Sequence, residues 1–93
     1  MSTKRHRFPT ELQDDLSIYC HSLRVQHKMR IPHIGRLINR HHSTVIYHLK
    51  RYEALIAYDR QFQSRVRDFN EEAFAQKLLK YGIEPYNTLI INI

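Results

Sequence analysis

The chain is 93 residues long, and 42% of it is apolar, with 6 Tyr, 4 Phe and only 2 Gly. That composition suits one small domain with a compact core, and it excludes a multi-domain enzyme, a glycine-rich phosphate loop and a turn-dense β architecture, so an all-α fold is expected. The 15 Lys and Arg outweigh 9 Asp and Glu for a formal charge of +6, while the lone Cys20 excludes an internal disulfide and points to a reducing compartment, the cytoplasm.

Residues 1–9 read as a basic, flexible arm, Lys4-Arg5-His6-Arg7, closed by Pro9. No apolar stretch follows it as in a secretion signal, and none approaches the roughly 20 apolar residues of a membrane span, so no membrane partner is expected. A helical domain over residues 10–82 comes next. Its first helix is predicted at Glu11 to His27, where Thr10 and Gln13 fit a capping box, Glu11, Asp14 and Asp15 suit the helix dipole, and Leu12, Leu16, Tyr19 and Leu23 share a face. Ile31-Pro32 opens a short second helix, Pro32 to Ile38, with Ile34, Leu37 and Ile38 on one side and Gly35 where a crossing helix fits.

Residues 39–42 form the connection to a third helix, Ser43 to Tyr58, which places Val45, Leu49, Tyr52 and Ile56 on an apolar stripe and His48 on its flank. Ser43, Thr44, Tyr47, Lys50 and Arg51 fall on the outer half. Phe62, Val66 and Phe69 start a fourth helix, and Asn70 before Glu71-Glu72 is an N-cap signal for a fifth, carrying Phe74, Leu78 and Tyr81 and stopping at Gly82. The remainder, 83–93, is an apolar, β-prone tail that suits packing or self-pairing in a homodimer.

Charge is unevenly distributed. Basic and acidic residues number six and three in 1–30, five and two in 31–60, and four and four in 61–93. Between Asp15 and Glu53 there is no carboxylate, while seven Lys or Arg and six His fall in that span. Such a segment attracts a polyanion through counterion release, although a solvated basic face is the plainer reading of charge alone. The pattern decides in favour of nucleic acid. A short helix, a tight turn and a longer helix with an apolar inner and basic outer face make a helix-turn-helix over 32–58, whose second helix enters the major groove of double-stranded DNA. In that setting His41, His42, Ser43 and Thr44 reach base edges, and Tyr47 contacts a thymine methyl or sugar. Arg36, Arg40, Lys50 and Arg51 reach phosphates, which position rather than specify.

The run Ile31-Pro32-His33-Ile34-Gly35-Arg36-Leu37-Ile38-Asn39-Arg40-His41-His42-Ser43-Thr44-Val45-Ile46 resembles the C-terminal DNA-binding domain of the bacterial replication initiator DnaA, a small helical domain of Trp repressor-like type. That family's pattern is Leu-Pro-x-Ile-Gly, a short Gly/Asn-Arg turn, then Asp-His-Thr/Ser-Thr-Val-Ile/Leu. The likeness extends over about residues 31 to 69. It implies that His42, Ser43 and Thr44 read bases, that Lys50 and Arg51 stand for the family's basic pair, and that an arm such as Lys4, Arg5 and Arg7 enters the minor groove. Two positions differ: His41 stands where the family has Asp, and Tyr47 where it usually has His. Asp only accepts hydrogen bonds, as from cytosine, whereas His41 can donate to guanine or adenine.

The sequence has no Gly-x-x-x-x-Gly-Lys-Ser/Thr loop, so the reading is a DNA-binding module for replication or transcription control, without the initiator's ATPase. Neither Cys-x-x-Cys nor His-Glu-x-x-His spacing occurs, and His41 and His42 diverge as neighbours on a regular element, so no metal or other cofactor is expected. No nucleophile, base and orienting group fall together, which argues against an enzyme. The alternative is an adaptor that binds an acidic replication or transcription protein through the same basic surface.

Overall fold

The computed structural model describes residues 10–80, and side chains from Leu12 onward. The arm at 1–9, Tyr81, Gly82 and the tail 83–93 lie outside them. Five helices follow one another: α1 (Thr10–Val25), α2 (Ile31–Ile38), α3 (His42–Ile56), α4 (Arg60–Asp68) and α5 (Glu71–Lys80). No strand occurs among the described residues, and the domain is all-α.

Helix α1 is the axis of the molecule and touches each of the other four. The face carrying Leu12, Leu16, Tyr19 and Leu23 is buried, as its spacing predicts, but so are Ser17, Ile18, Cys20 and Ser22. Small residues close that second face, so neighbouring helices approach α1 from several sides, and burial there is wider than an apolar stripe indicates. The main core joins α1 to Ile34, Leu37 and Ile38 of α2, Val45 of α3, and Phe74 and Leu78 of α5. Tyr19, Phe69 and Phe74 form an aromatic group with centroids 5.1–6.3 Å apart in tilted and edge-on geometry, the arrangement ring quadrupoles favour. Burial among these groups pushes the Cys20 thiol up to about 12, leaving it neutral and inert.

The helix ends have local causes. Helix α1 stops at Val25 rather than His27 because Lys28 turns left-handed, at φ 53°, and the Met29 amide reaches back 3.0 Å to the Leu23 carbonyl. Asp59 caps α4 by accepting from the Phe62 amide at 2.9 Å, and this new start takes the chain out of α3 two residues early. Asn70 caps α5 as its sequence signal predicts, accepting from the Ala73 amide at 2.9 Å. Glu71, the first residue of α5, then accepts from Ser22 Oγ and lies 3.0 Å from His27 Nε2, tying α5 to the end of α1.

The α2 to α3 connection takes only residues 39–41. Asn39 is left-handed, at φ 58°; its amide donates to the Arg36 carbonyl at 3.1 Å, and the next amide, Arg40, donates to Gly35 at 2.8 Å. This is a Schellman closure, with Asn in the place usually held by Gly. Its compactness brings the turn onto Gly35 itself. A Cβ at position 35 meets the Arg40 carbonyl oxygen at 2.8 Å and the His42 amide at 3.4 Å, both main-chain atoms that no side-chain rotation can move. Gly35 is therefore needed for close approach, as the crossing-helix expectation supposed. A Gly35→Ala change is expected to displace the start of α3 and to destabilise the domain by about 1–3 kcal/mol, measured by urea unfolding; an unchanged midpoint refutes the close-packed turn.

Candidate nucleic-acid interface

The residues expected at DNA fall into three groups in space. His41, His42, Ser43, Tyr47, Lys50 and Arg36 are exposed around the turn and the first half of α3. At about 100° per residue, Ser43, Tyr47 and Lys50 share one strip, with Ile46 at its margin. Ile46 is 36% exposed and Tyr47 56%, so the strip also presents apolar surface. Ile46 did not figure among the expected contacts; its place between the buried Val45 and the exposed Tyr47 is the signal for it.

The second group is only partly available. Thr44 is half-buried, on the flank of α3 shared with Arg51 rather than on the Ser43 strip. Arg40 is also half-buried, and its guanidinium donates to the Asn39 carbonyl at 2.7 Å, closing over the turn. Arg36, Arg40 and the neighbouring Gly35, Asn39 and His41 line a shallow hollow of about 280 Å³ beside the start of α3. The third group, Lys4, Arg5 and Arg7, lies outside the described residues.

Arg51 has an internal occupation that the helical wheel does not reveal. Its Nη2 pairs with Asp14 Oδ1 at 2.8 Å, and its Nη1 donates to Ser17 Oγ at 3.3 Å. Asp14 and Asp15 are in turn held by Arg65 of α4, at 3.7 and 3.1 Å. The Arg51 guanidinium thus binds α3 to α1, and its charge is answered within the protein. Asp14 is 37 positions away in sequence, so only the fold shows the pairing.

Ser17 passes this arrangement inward to His48. Ser17 Oγ lies 2.8 Å from His48 Nδ1, in the interior. Arg51 can only donate, so Ser17 accepts from it, and the same hydroxyl shares a second hydrogen bond with the buried imidazole. Burial, and secondarily the Arg51 charge, lower the His48 pKa from 6.5 to about 4. His48 was expected on the flank of the apolar stripe. It is instead fully buried, while Leu49, Tyr52 and Ile56 are half-buried, because α1 supplies a hydroxyl partner exactly where the imidazole enters. Tyr52 stacks instead on His21, with centroids 3.6 Å apart and planes within 6°.

His41 is the N-cap of α3. Its backbone is extended, at φ −64° and ψ 151°, and its Nδ1 accepts from the Ser43 amide at 3.1 Å. Ser43 Oγ lies 2.9 Å from the same nitrogen. Since His41 stands outside the helix, its ring folds back over the first turn and comes within 4.2 Å of the His42 ring, tilted by 33°. The expected divergence of the two imidazoles is corrected by this cap geometry. Among the described residues, no group of three His, Cys, Asp or Glu is placed to hold a metal ion, and no helix is long and apolar enough to cross a membrane.

No protein-family model, curated protein or solved structure matches this chain. The chemistry of the α3 surface therefore rests on its own residues. It offers hydroxyl, imidazole, phenol and ammonium groups on a convex helical strip. The larger hollow, about 540 Å³, lies away from this strip between α4 and α5, with Asp15, Arg65 and Lys77 among its walls.

The His48 pKa fixes a pH dependence and its sign. The folded state keeps His48 neutral while the unfolded chain binds a proton near 6.5, so this contribution to stability is complete above that value and is lost as pH falls towards 4. Lowering the pH from about 7 to about 5 is expected to cost about 2 kcal/mol through this group. Urea midpoints across that range are expected to fall for the native chain and to fall less for His48→Gln; parallel slopes refute the buried neutral imidazole.

Proposed function

We propose that this protein binds double-stranded DNA with sequence preference, laying the first half of α3 in the major groove, and that it acts in the control of replication initiation or transcription. The observation that carries this reading is the exposed strip Ser43, Tyr47 and Lys50, with His42 exposed beside it, on a helix set by a closed two-helix turn, within a sequence span free of carboxylates from 16 to 52. A helix with its side chains is about 10–12 Å across and the groove about 12 Å wide, so a convex face of this kind fits it. The short side chains at the start of α3 suit close approach to base edges, while Lys50 and Arg36 suit phosphates.

The DnaA-like run of residues supports the same reading, and the Gly35 approach gives its Ile-Gly pair a physical reason. Arg51, engaged by Asp14 and Ser17, serves here as the brace that holds α3 on α1 rather than as a phosphate contact. Lys4, Arg5 and Arg7 remain the proposed minor-groove arm. The module needs no cofactor and performs no catalysis under this reading, and the cytoplasm is its proposed compartment.

Selection from random duplex DNA is expected to enrich one motif. With that motif as probe, Lys50→Ala is expected to weaken all sequences alike and to lower the slope of log affinity against log salt by about one unit. Arg51→Ala is expected to leave the slope near that of the native chain and to lower the unfolding midpoint instead. A flat selection refutes the DNA reading and favours an adaptor for an acidic protein; equal slope losses in both variants refute the division of roles.

A further inference from the structure

Ser43, Ile46 and Lys50 form one row along the surface of α3. Ile46 stands one turn after Ser43 and one turn before Lys50, at the spacings that make side chains neighbours on a helix. All three are exposed, so an apolar group is set between a hydroxyl and an ammonium. Tyr47, the other exposed apolar group in the first half of α3, turns the other way. Its ring is edge-on to that of the buried His48, with centroids 5.0 Å apart, and at about 100° per residue His48 lies on the flank away from Ile46. The two apolar groups therefore occupy opposite margins of the strip and meet different parts of whatever the strip covers.

We infer that Ile46 makes recognition by this helix depend on a pyrimidine C5-methyl group, which in unmodified DNA is that of thymine. The inference rests on the DNA-binding reading above, in which Ser43 approaches a base edge and Lys50 a phosphate, so that Ile46 stands between the two. The methyl group of thymine occupies a matching place, at the outer margin of its base edge on the side of its own backbone. Adenine, guanine and cytosine present donors and acceptors in the major groove, and thymine alone adds a methyl group. A donor or acceptor covered by Ile46 loses its water and gains no partner, which counts against it. A methyl group covered by Ile46 removes apolar surface from water on both sides. The same side chain thus favours one base and disfavours the other three at one position.

The test compares the native chain with I46A and I46V, each checked for folding by its urea midpoint. Selection from random duplex DNA supplies the motif of the native chain, and each thymine in it is then replaced in turn by deoxyuridine, which lacks only the methyl group. At one thymine the native chain is expected to bind the deoxyuridine duplex about fourfold more weakly, the effect of one buried methyl group. At that position I46A is expected to bind both duplexes equally, while I46V, which keeps branched apolar surface, retains the preference. The inference is overturned, with DNA binding intact, by a motif without thymine, by native affinity unchanged at every replacement, or by losses that are the same in I46A at every thymine. A native chain that enriches no sequence overturns the DNA reading and this inference together.

Discussion

The absence of a side chain at position 35 is the constraint on which the two-helix unit depends. The main chain of the turn passes so close to α2 that the Arg40 carbonyl and the His42 amide occupy the space a Cβ would take. Everything that follows from the position of α3 inherits this contact. The Schellman closure at Asn39 and Arg40, the extended backbone of His41 and the first exposed residues of α3, His42 and Ser43, all lie within eight positions of Gly35. A local steric fact therefore sets where the exposed face of α3 begins.

What then holds α3 in place is polar as much as apolar. Val45 is buried against the common core, but His48, Ser17, Arg51 and Asp14 form a graded sequence from the interior to the surface between α3 and α1. Hydrogen bonds and ion pairs of this kind add modest net stability, since each replaces interactions with water. They do impose a direction: an imidazole, a hydroxyl and a guanidinium are satisfied together in one register only, whereas leucines on the same faces tolerate sliding. Arg65 joins Asp14 and Asp15 from α4, so three helices share one electrostatic junction.

Local signals in the sequence were legible where the physics was local. Proline at the start of α2, the Asn70 cap, the apolar spacing of α1 and the small Gly35 each report on neighbours within a few residues, and the structure agrees with them. The left-handed turn at Lys28 is not signalled, because lysine has no turn preference, whereas the connection at 39–42 is legible and only the left-handed backbone of Asn39 within it is added by the structure. The apolar spacing of α1 says nothing of Ser17, Cys20 and Ser22, and their burial follows from how many helices surround α1. At the candidate interface, exposure of Ser43, Tyr47 and Lys50 was legible from the helical wheel. The engagement of Arg51 and the capping role of the His41 ring were not, because one depends on a distant segment and the other on a backbone bend just outside the helix.

The two left-handed residues bracket α2, and neither is glycine. Glycine in such a place moves between mirror-related basins at little cost and makes a hinge; lysine and asparagine occupy a small well with steep walls. Both joints of α2 are consequently stiff. Helix α2 is held between these joints by Ile34, Leu37 and Ile38, which sit in the common core. The short helix is in mechanical terms a strut, so the geometry it holds is prepaid in the fold rather than acquired on contact.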